Sequence, residues 1–392
     1  MKIRTLSRLK NLQGKTVFLR VDYNVAVVKG KIQDDYRLQA SLPTIDFLRS
    51  RGARLIIASH LGDPQGKVKE EYSLKPAAIH LRKLLKAPVK FIGAVRGARV
   101  KAAASRLGVG EILMLDNLRF EEGELTDDQD FAKELASLAD IYVNDAFAVS
   151  HRRQASVAAI KNFLPAYAGL LVEQEVRALN KVLQPKKPLT VVMGGAKIST
   201  KAPLIAKLYS KADTILLGGG LANNFFKYQG REIGLSLFDK DSVAFVKKYF
   251  IRNKLKSKII LPLDVVVRDK KGCVRVSTPG DVKKNEAIFD IGPATIGLYA
   301  KYINRAQTLV WNGPLGKFEE NSFKQGTLSI ARLIAARSQG RAYGLVGGGE
   351  TVAALNLTKM SEYVDWVSTA GGAMLSYLGG EKMPGLEKII SF

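Results

Sequence analysis

Short β-branched runs alternate with longer amphipathic stretches almost from end to end, the arrangement that builds parallel sheets covered by helices on both faces. In the first half TVFLRV (Thr16 to Val21), RLIIAS (Arg54 to Ser59), PVKFI (Pro88 to Ile92), EILML (Glu111 to Leu115) and DIYVND (Asp140 to Asp145) are predicted strands. Helices are predicted between them: one from near Gln39, one after Pro76, and one opened by Thr126 and Asp127 that runs through FAKELASLA. In the second half LTVVMG, DTILLG, KIILP, TLVWN and AYGLVG are predicted strands.

Between the halves, VEQEVRALNKVL has helical spacing and stops at the proline-bounded QPKKP. The pattern predicts an α/β protein of two Rossmann-like three-layer domains with parallel sheets, joined by a hinge helix. The expected division is a first domain over 1–172, the hinge helix and linker over 173–188, and a second domain over 189–375. A tail over 376–392 is expected to pack back on the first domain.

Composition narrows the class. A chain of 392 residues suits two domains, and 46% hydrophobic with 25% charged residues is ordinary globular usage, which sets aside disordered and fibrous classes. The start, MKIRTLSRLKNLQGK, lacks the apolar run of a secretory signal, and no apolar run of about 18 residues occurs, so a cytoplasmic protein with no membrane partner is expected. The single cysteine, Cys273, excludes an internal disulfide and a cysteine-cluster metal site. Lysine and arginine outnumber aspartate and glutamate by 61 to 36, for a net charge of +25. Such an excess attracts nucleic acid, anionic membrane surfaces or small anionic substrates. No tract of five or more like charges is present, as an unstructured nucleic-acid-binding tail would show, so nucleic acid is not the favoured partner.

Glycine separates the halves, with 11 before residue 186 and 24 after it. The excess sits where predicted strands end: GGAK (Gly194 to Lys197), GGG (Gly218 to Gly220), NGPLG (Asn312 to Gly316), GGGE (Gly347 to Glu350) and AGG (Ala370 to Gly372). Such loops let bare amides and helix N-termini approach phosphate oxygens, which points to a nucleotide or polyphosphate. Neither GxxxxGK[ST] nor a complete GxGxxG occurs. Lys197 and Lys201 follow the first loop at a helical i, i+4 spacing, where an anion between them would offset their unfavourable place at a helix N-terminus. Glu350 and Glu319 are candidate carboxylates for a metal and a ribose hydroxyl.

The first half instead sets polar and basic side chains just after its strands: Asp22 and Asn24, then His60, Arg119, and His151 with Arg152. In a parallel sheet these converge on one edge, and Arg37 joins them from beyond the first strand. Arginines, histidines and short hydrogen-bonding groups suit a small, strongly anionic ligand such as a phosphate-bearing carboxylate. His80, within AAIHLRKLL, is expected to be structural. A small-anion site on one domain and a polyphosphate site on the other is the layout of a phosphotransferase that works by positioning and charge neutralisation. A carboxylate acceptor, ionised already at neutral pH, would explain why no base is evident.

From about Leu12 to Pro384 the chain resembles the phosphoglycerate kinase family. The matching segments include RVDYNV, DYRL around Arg37, SHLG (Ser59 to Gly62), DNLRF, YVNDAF with SHR, GGAKIS with Lys201, GGG at Gly218, DIGPAT, WNGPLGKFE, GGGET and ST-GG at Ser368 to Gly372. The resemblance implies reversible phosphoryl transfer between 1,3-bisphosphoglycerate and ADP, giving 3-phosphoglycerate and ATP with Mg²⁺, by a monomer. Carried onto matching positions, Asp22, Asn24, Arg37, His60, Leu61, Gly62, Asp63, Arg119 and Arg152 would hold the phosphoglycerate. Lys201, Gly219, Gly220, Gly292, Asn312, Glu319, Gly348, Gly349, Glu350 and Thr351 would hold the nucleotide, with Glu350 at the metal. Arg37, Lys197, Lys201, Gly371 and Gly372 would act on the migrating phosphoryl group.

The chain departs from the family pattern within the site. Asp63 stands where the family usually has an arginine on the substrate phosphate, a charge reversal. Glu350 stands where aspartate is commoner, Thr200 replaces an acidic residue between the two lysines, and Ala370 replaces the first glycine of the phosphate-facing run. Two further readings follow: a degenerate nucleotide-binding relative, and a basic nucleic-acid-binding protein on the same scaffold.

Overall fold

The computed structural model describes residues 2–199, 201–256 and 258–391. Thr200 therefore lies outside the described residues. The chain divides into two compact units, one running through Arg177 and resuming at Lys382, the other spanning Ala178–Glu381.

The first unit is built on a six-stranded sheet in the spatial order Val89–Ile92, Ile112–Leu115, Arg54–Ala58, Thr16–Arg20, Ile141–Asn144, Ala166–Ala168. Every neighbouring pair is parallel. All five residues of Thr16–Arg20 are buried, because helices cover both faces of the sheet and leave no solvated side. Val17 and Leu19 pack with Leu55, Ile57 and the inward positions Leu38, Ile45 and Leu48 of the helix Tyr36–Arg49. The helix Lys75–Leu85 carries Pro76 in its first turn, where the missing N–H costs nothing. The helix expected from Thr126 starts later, at Gln129: Asp127 adopts a φ of 56°, and the Asp128 carboxylate caps Phe131 N at 2.7 Å. Ala166–Ala168 went unpredicted, since three residues carry no readable alternation.

The helix Leu170–Leu183 begins three residues before the expected hinge segment. Asp145 Oδ1 accepts from Leu171 N at 3.0 Å at its start. Burial pushes the Asp145 carboxyl up to about 7. The division between the units falls within this helix, after Arg177.

The second unit has its own parallel sheet, in the order Ile259–Ile260, Thr214–Leu217, Leu189–Met193, Thr308–Asn312, Tyr343–Gly347, Trp366–Ser368. Strand order reverses between Leu189–Met193 and Thr308–Asn312, the switch point where a crevice opens at the carboxyl ends. Trp311, Tyr299, Leu309 and Ile334 are among its core residues. An antiparallel sheet of Val265–Asp269, Val274–Ser277 and Glu286–Ile291 was not anticipated.

The expected tail boundary at 376 falls inside the helix Gly371–Gly379, which ends on Gly380 at a φ of 76°. From Lys382 the chain belongs to the first unit. Asn144 Nδ2 donates to Gly385 O at 2.9 Å, Lys161 Nζ donates to Glu387 O at 3.0 Å and to Pro384 O, and Lys2–Ile3 pairs with Ile390–Ser391.

Candidate active site

In the first unit the strand ends deliver their polar residues to one place. Asp22 accepts from Arg37 Nη1, and its other oxygen lies 3.8 Å from His60 Nδ1. Asn24 Oδ1 accepts from Gly62 N at 2.9 Å, and Arg119 Nη1 donates to Gly62 O at 2.7 Å. Leu61 is buried, and its carbonyl accepts from Asn117 Nδ2 at 2.6 Å, so it shapes the loop through its backbone. His60 is 2% exposed. Burial, then the charges of Arg20, Arg119, Arg152 and Arg37, hold its pKa well below the usual imidazole range. The ring sits among four guanidinium groups, which disfavour its charged form.

Arg119 is buried, and its Nε and Nη2 have no hydrogen-bond partner among the described residues. Burial, Arg152 and Arg20 lower its pKa, while Asp63 and Glu124 oppose them. Two uncommitted N–H donors on a buried cation are what an incoming anion would satisfy. Arg152 is exposed, and half-buried His151 precedes it in a turn. Asp63 is exposed too, next to Gly62 and within electrostatic reach of Arg119.

Sequence reasoning left out the support behind this ring. Arg20 and Glu124 are 3.9 Å apart with both side chains wholly buried. Ser156 joins them, accepting from Arg20 Nε at 2.9 Å and donating through Oγ to Glu124 at 2.7 Å. The available signal was a charge inside TVFLRV, since a buried cation needs partners.

In the second unit backbone does more than side chains. The helices Gly219–Tyr228, Gly349–Leu357 and Gly371–Gly379 all begin where parallel strands end. First-turn amides have no helical acceptor and favour anions; in the first of these helices Gly219 N and Leu221 N already donate to Leu315 O and Gly195 O. A Cβ on Gly371 would come within 3.3 Å of Gly348 Cα, so the last two N-termini abut. Gly348 has a φ of 103°, and a Cβ there would meet Asn312 Nδ2 at 2.9 Å. Asn312 is fixed by its own bonds, donating to Gly347 O at 2.7 Å and accepting from Lys201 Nζ. Burial brings the Lys201 ammonium down to about 8, with Glu350 opposing.

Beside these helices lies a cavity of about 500 Å³, within the usual range for a small-molecule site. Gly195, Ala196, Gly219 and Gly220 line one side, Leu235, Leu237, Ile288 and Phe289 another, and Lys317, Glu319 and Glu350 also border it. The apolar wall had not been anticipated, because Leu237 and Phe289 lie outside the glycine loops.

One expectation needs correction. Lys197 and Lys201 do not share a helix: residues 194–199 form a loop, the helix starts at Ala202, and Lys201 is its N-cap, with Pro203 in the first turn. Lys197 is exposed in that loop. Gly292 does not line the cavity; it precedes the helix Pro293–Arg305, whose N-terminal amides at Ala294 and Thr295 already donate to the Asp264 carboxylate at 3.0 and 2.8 Å. Thr351 is 1% exposed and its Oγ1 accepts from Gly313 N at 2.7 Å, so it braces the loop.

Two Rossmann-like units, one gathering arginine side chains after its strands and the other presenting glycine-rich loops and helix N-termini, are the frame of a two-domain phosphotransferase. A family model described as phosphoglycerate kinase matches residues 6–381. The chain belongs to the phosphoglycerate kinase family. It is 43% identical over 379 residues to the phosphoglycerate kinase of Herpetosiphon aurantiacus, covering 95% of each chain. It is 42% identical over 383 residues to that of Moorella thermoacetica, covering 96% of each. Among solved structures, phosphoglycerate kinase from Coxiella burnetii matches with a TM-score of 0.88 at 39% identity over 99% of both chains. That from Pyrococcus horikoshii matches with 0.82 at 31%, over 99% of this chain and 98% of the other. The activity is that of a phosphoglycerate kinase, a glycolytic phosphotransferase with a carboxyl group as acceptor. Among the described residues no helix is long and apolar enough to cross a membrane.

Proposed function

We propose that the first unit binds 3-phosphoglycerate or 1,3-bisphosphoglycerate, that the second binds ATP or ADP with Mg²⁺, and that the phosphoryl group passes reversibly between them. The observation that carries this reading is the buried Arg119, two of whose donors have no partner among the described residues, in a unit whose neighbouring cations are Arg20, Arg37 and Arg152. In the direction of ATP consumption, a carboxylate oxygen of 3-phosphoglycerate attacks the γ-phosphorus. The bond to the β–γ bridging oxygen breaks, and ADP leaves with the electron pair. A carboxylic acid of pKa about 4 is ionised at neutral pH, so no general base is required.

Arg119 and Arg152 take the substrate phosphate, and Asn24 with the Leu61–Gly62 loop orients its short body. Arg37, anchored on Asp22, faces the carboxylate end. Lys201 and Lys197 neutralise nucleotide phosphates, and the amides of Gly371 and Gly372 receive the migrating group at a helix N-terminus. The apolar cavity wall takes the base, and Glu319 the ribose.

The donor set fits Mg²⁺ of the nucleotide-borne kind. Among the described residues no three His, Cys, Asp or Glu side chains gather as a metal cage, and Glu350 offers one carboxylate beside the cavity. Mg²⁺ is commonly held by one or two carboxylates with phosphates and water. When bound it spreads the phosphate charge, and Glu350 would hold it.

Transfer requires both substrates to come within bonding reach, so the segment 173–188 is assigned the role of hinge. A cytoplasmic monomer that does not bind nucleic acid completes the reading. The test is a coupled assay of the purified chain with ATP, Mg²⁺ and increasing 3-phosphoglycerate. Saturable turnover is the expected result, and no turnover at any concentration would sink the assignment.

A further inference from the structure

His60 follows the strand Arg54–Ala58, and its Nδ1 lies 3.4 Å from Nη2 of Arg20. A guanidinium has five N–H donors and no lone pair that accepts. The hydrogen between these atoms therefore belongs to Arg20, and Nδ1 is the acceptor. An imidazolium would carry hydrogen on both nitrogens, so His60 is neutral with its one ring hydrogen on Nε2. Asp22 Oδ1, 3.8 Å from Nδ1, is beyond hydrogen-bond length.

Arg20 is held for this task. Nε donates to Ser156 Oγ at 2.9 Å, Nη1 to Val21 O, and the wholly buried Glu124 lies 3.9 Å from Nη2. Glu124 in turn accepts from Ser156 N at 2.8 Å and Ser156 Oγ at 2.7 Å. Neighbouring cations reinforce neutrality: Arg37, Arg119 and Arg152 join Arg20 in disfavouring a charged ring, after burial itself.

We propose that Arg20 is a positioning residue that fixes His60 as its Nε2–H tautomer, making His60 an uncharged N–H donor to the bound acid. The proposal rests on reading the first unit as the acid-binding half. With Nδ1 occupied, a directional donor rather than a lone pair faces the anion, and it keeps that state as pH falls. Four guanidinium groups supply attraction from several sides, while the single Nε2–H supplies direction.

The chain has three histidines, His60, His80 and His151, so a histidine ¹⁵N spectrum of the whole protein is readable, with His60→Gln identifying its pair of signals. From pH 5 to 8 the expected state is an unprotonated Nδ1 and a protonated Nε2, with 3-phosphoglycerate shifting Nε2. Arg20→Met should release the tautomer and raise KM for 3-phosphoglycerate about tenfold, with KM for ATP unchanged. Arg20→Lys, also a donor without acceptor capacity, should restore most of both. A protonated Nδ1 in the unmodified protein overturns the proposal, and if 3-phosphoglycerate still moves His60 the acid-binding reading survives. An Nε2–H signal that 3-phosphoglycerate leaves in place overturns both. An unchanged tautomer in Arg20→Met removes Arg20 from the role. Should that variant fail to fold, the unmodified protein's spectrum still decides.

Discussion

In the proposed function the first unit meets an anion with guanidinium groups around the His60 imidazole, whereas the second meets it with peptide N–H groups at helix starts and with Lys197 and Lys201. The difference follows from ligand size. A compact acid is reached from several strands by long side chains, and each cation is separately removable. A polyphosphate lies along backbone, which has no side chain to delete and is disabled only by adding one. Substitution by subtraction should therefore harm the first unit, and substitution by addition the second.

Gly348→Val gives the sharpest contrast. Its φ of 103° and the 2.9 Å approach to Asn312 Nδ2 put strain and overlap on the order of 4 kcal/mol into the loop, roughly a thousandfold loss of nucleotide affinity. Calorimetric titration should show that loss with 3-phosphoglycerate binding intact; parallel loss of both would erase the distinction. Next is Arg119→Met. Losing a charge-assisted bond costs about 1.5–3 kcal/mol, roughly 10- to 150-fold in affinity for 3-phosphoglycerate, with ATP binding unmoved.

Lys201 supplies a pH test. Its ammonium, brought down to about 8 from 10.5, must be charged to hold phosphate, so nucleotide affinity should fall as pH rises through 8. The expected loss between pH 8 and 9 is about fivefold, with proton uptake on binding seen as buffer-dependent heats. The sign for folding is opposite: between pH 8 and 10.5 the unfolded chain holds the extra proton, so this group's contribution to stability rises with pH. The smallest effect belongs to exposed Asp63, where Asp63→Asn should tighten 3-phosphoglycerate binding about threefold by removing repulsion. Unchanged affinity would mean that the carboxylate turns away from the phosphate.

Legibility in the sequence followed the same division. Both sheets were readable because buried parallel strands are dense apolar runs bounded by turn residues. The short edge strands Ala166–Ala168 and Trp366–Ser368 had too few residues to show a pattern. Arginines and histidines after strands were visible as residue types. Which glycine loop faces the cavity was not: Gly292 looks like the others until Asp264 is seen capping its helix. Arg20 and Glu124 were hidden for a related reason, because a buried pair from distant chain segments leaves no local spacing to read.

The return of the chain at Lys382 sets an order on synthesis. The strands of the first unit's six-stranded sheet are all translated before the second unit, yet the strand Ile390–Ser391 and the partners of Asn144 and Lys161, the carbonyls of Pro384, Gly385 and Glu387, are made only after it. Until then those donors have no acceptor from the returning segment. The second unit, contained in one uninterrupted stretch, has all its parts first. On the ribosome the unit that emerges first is the one that is finished last.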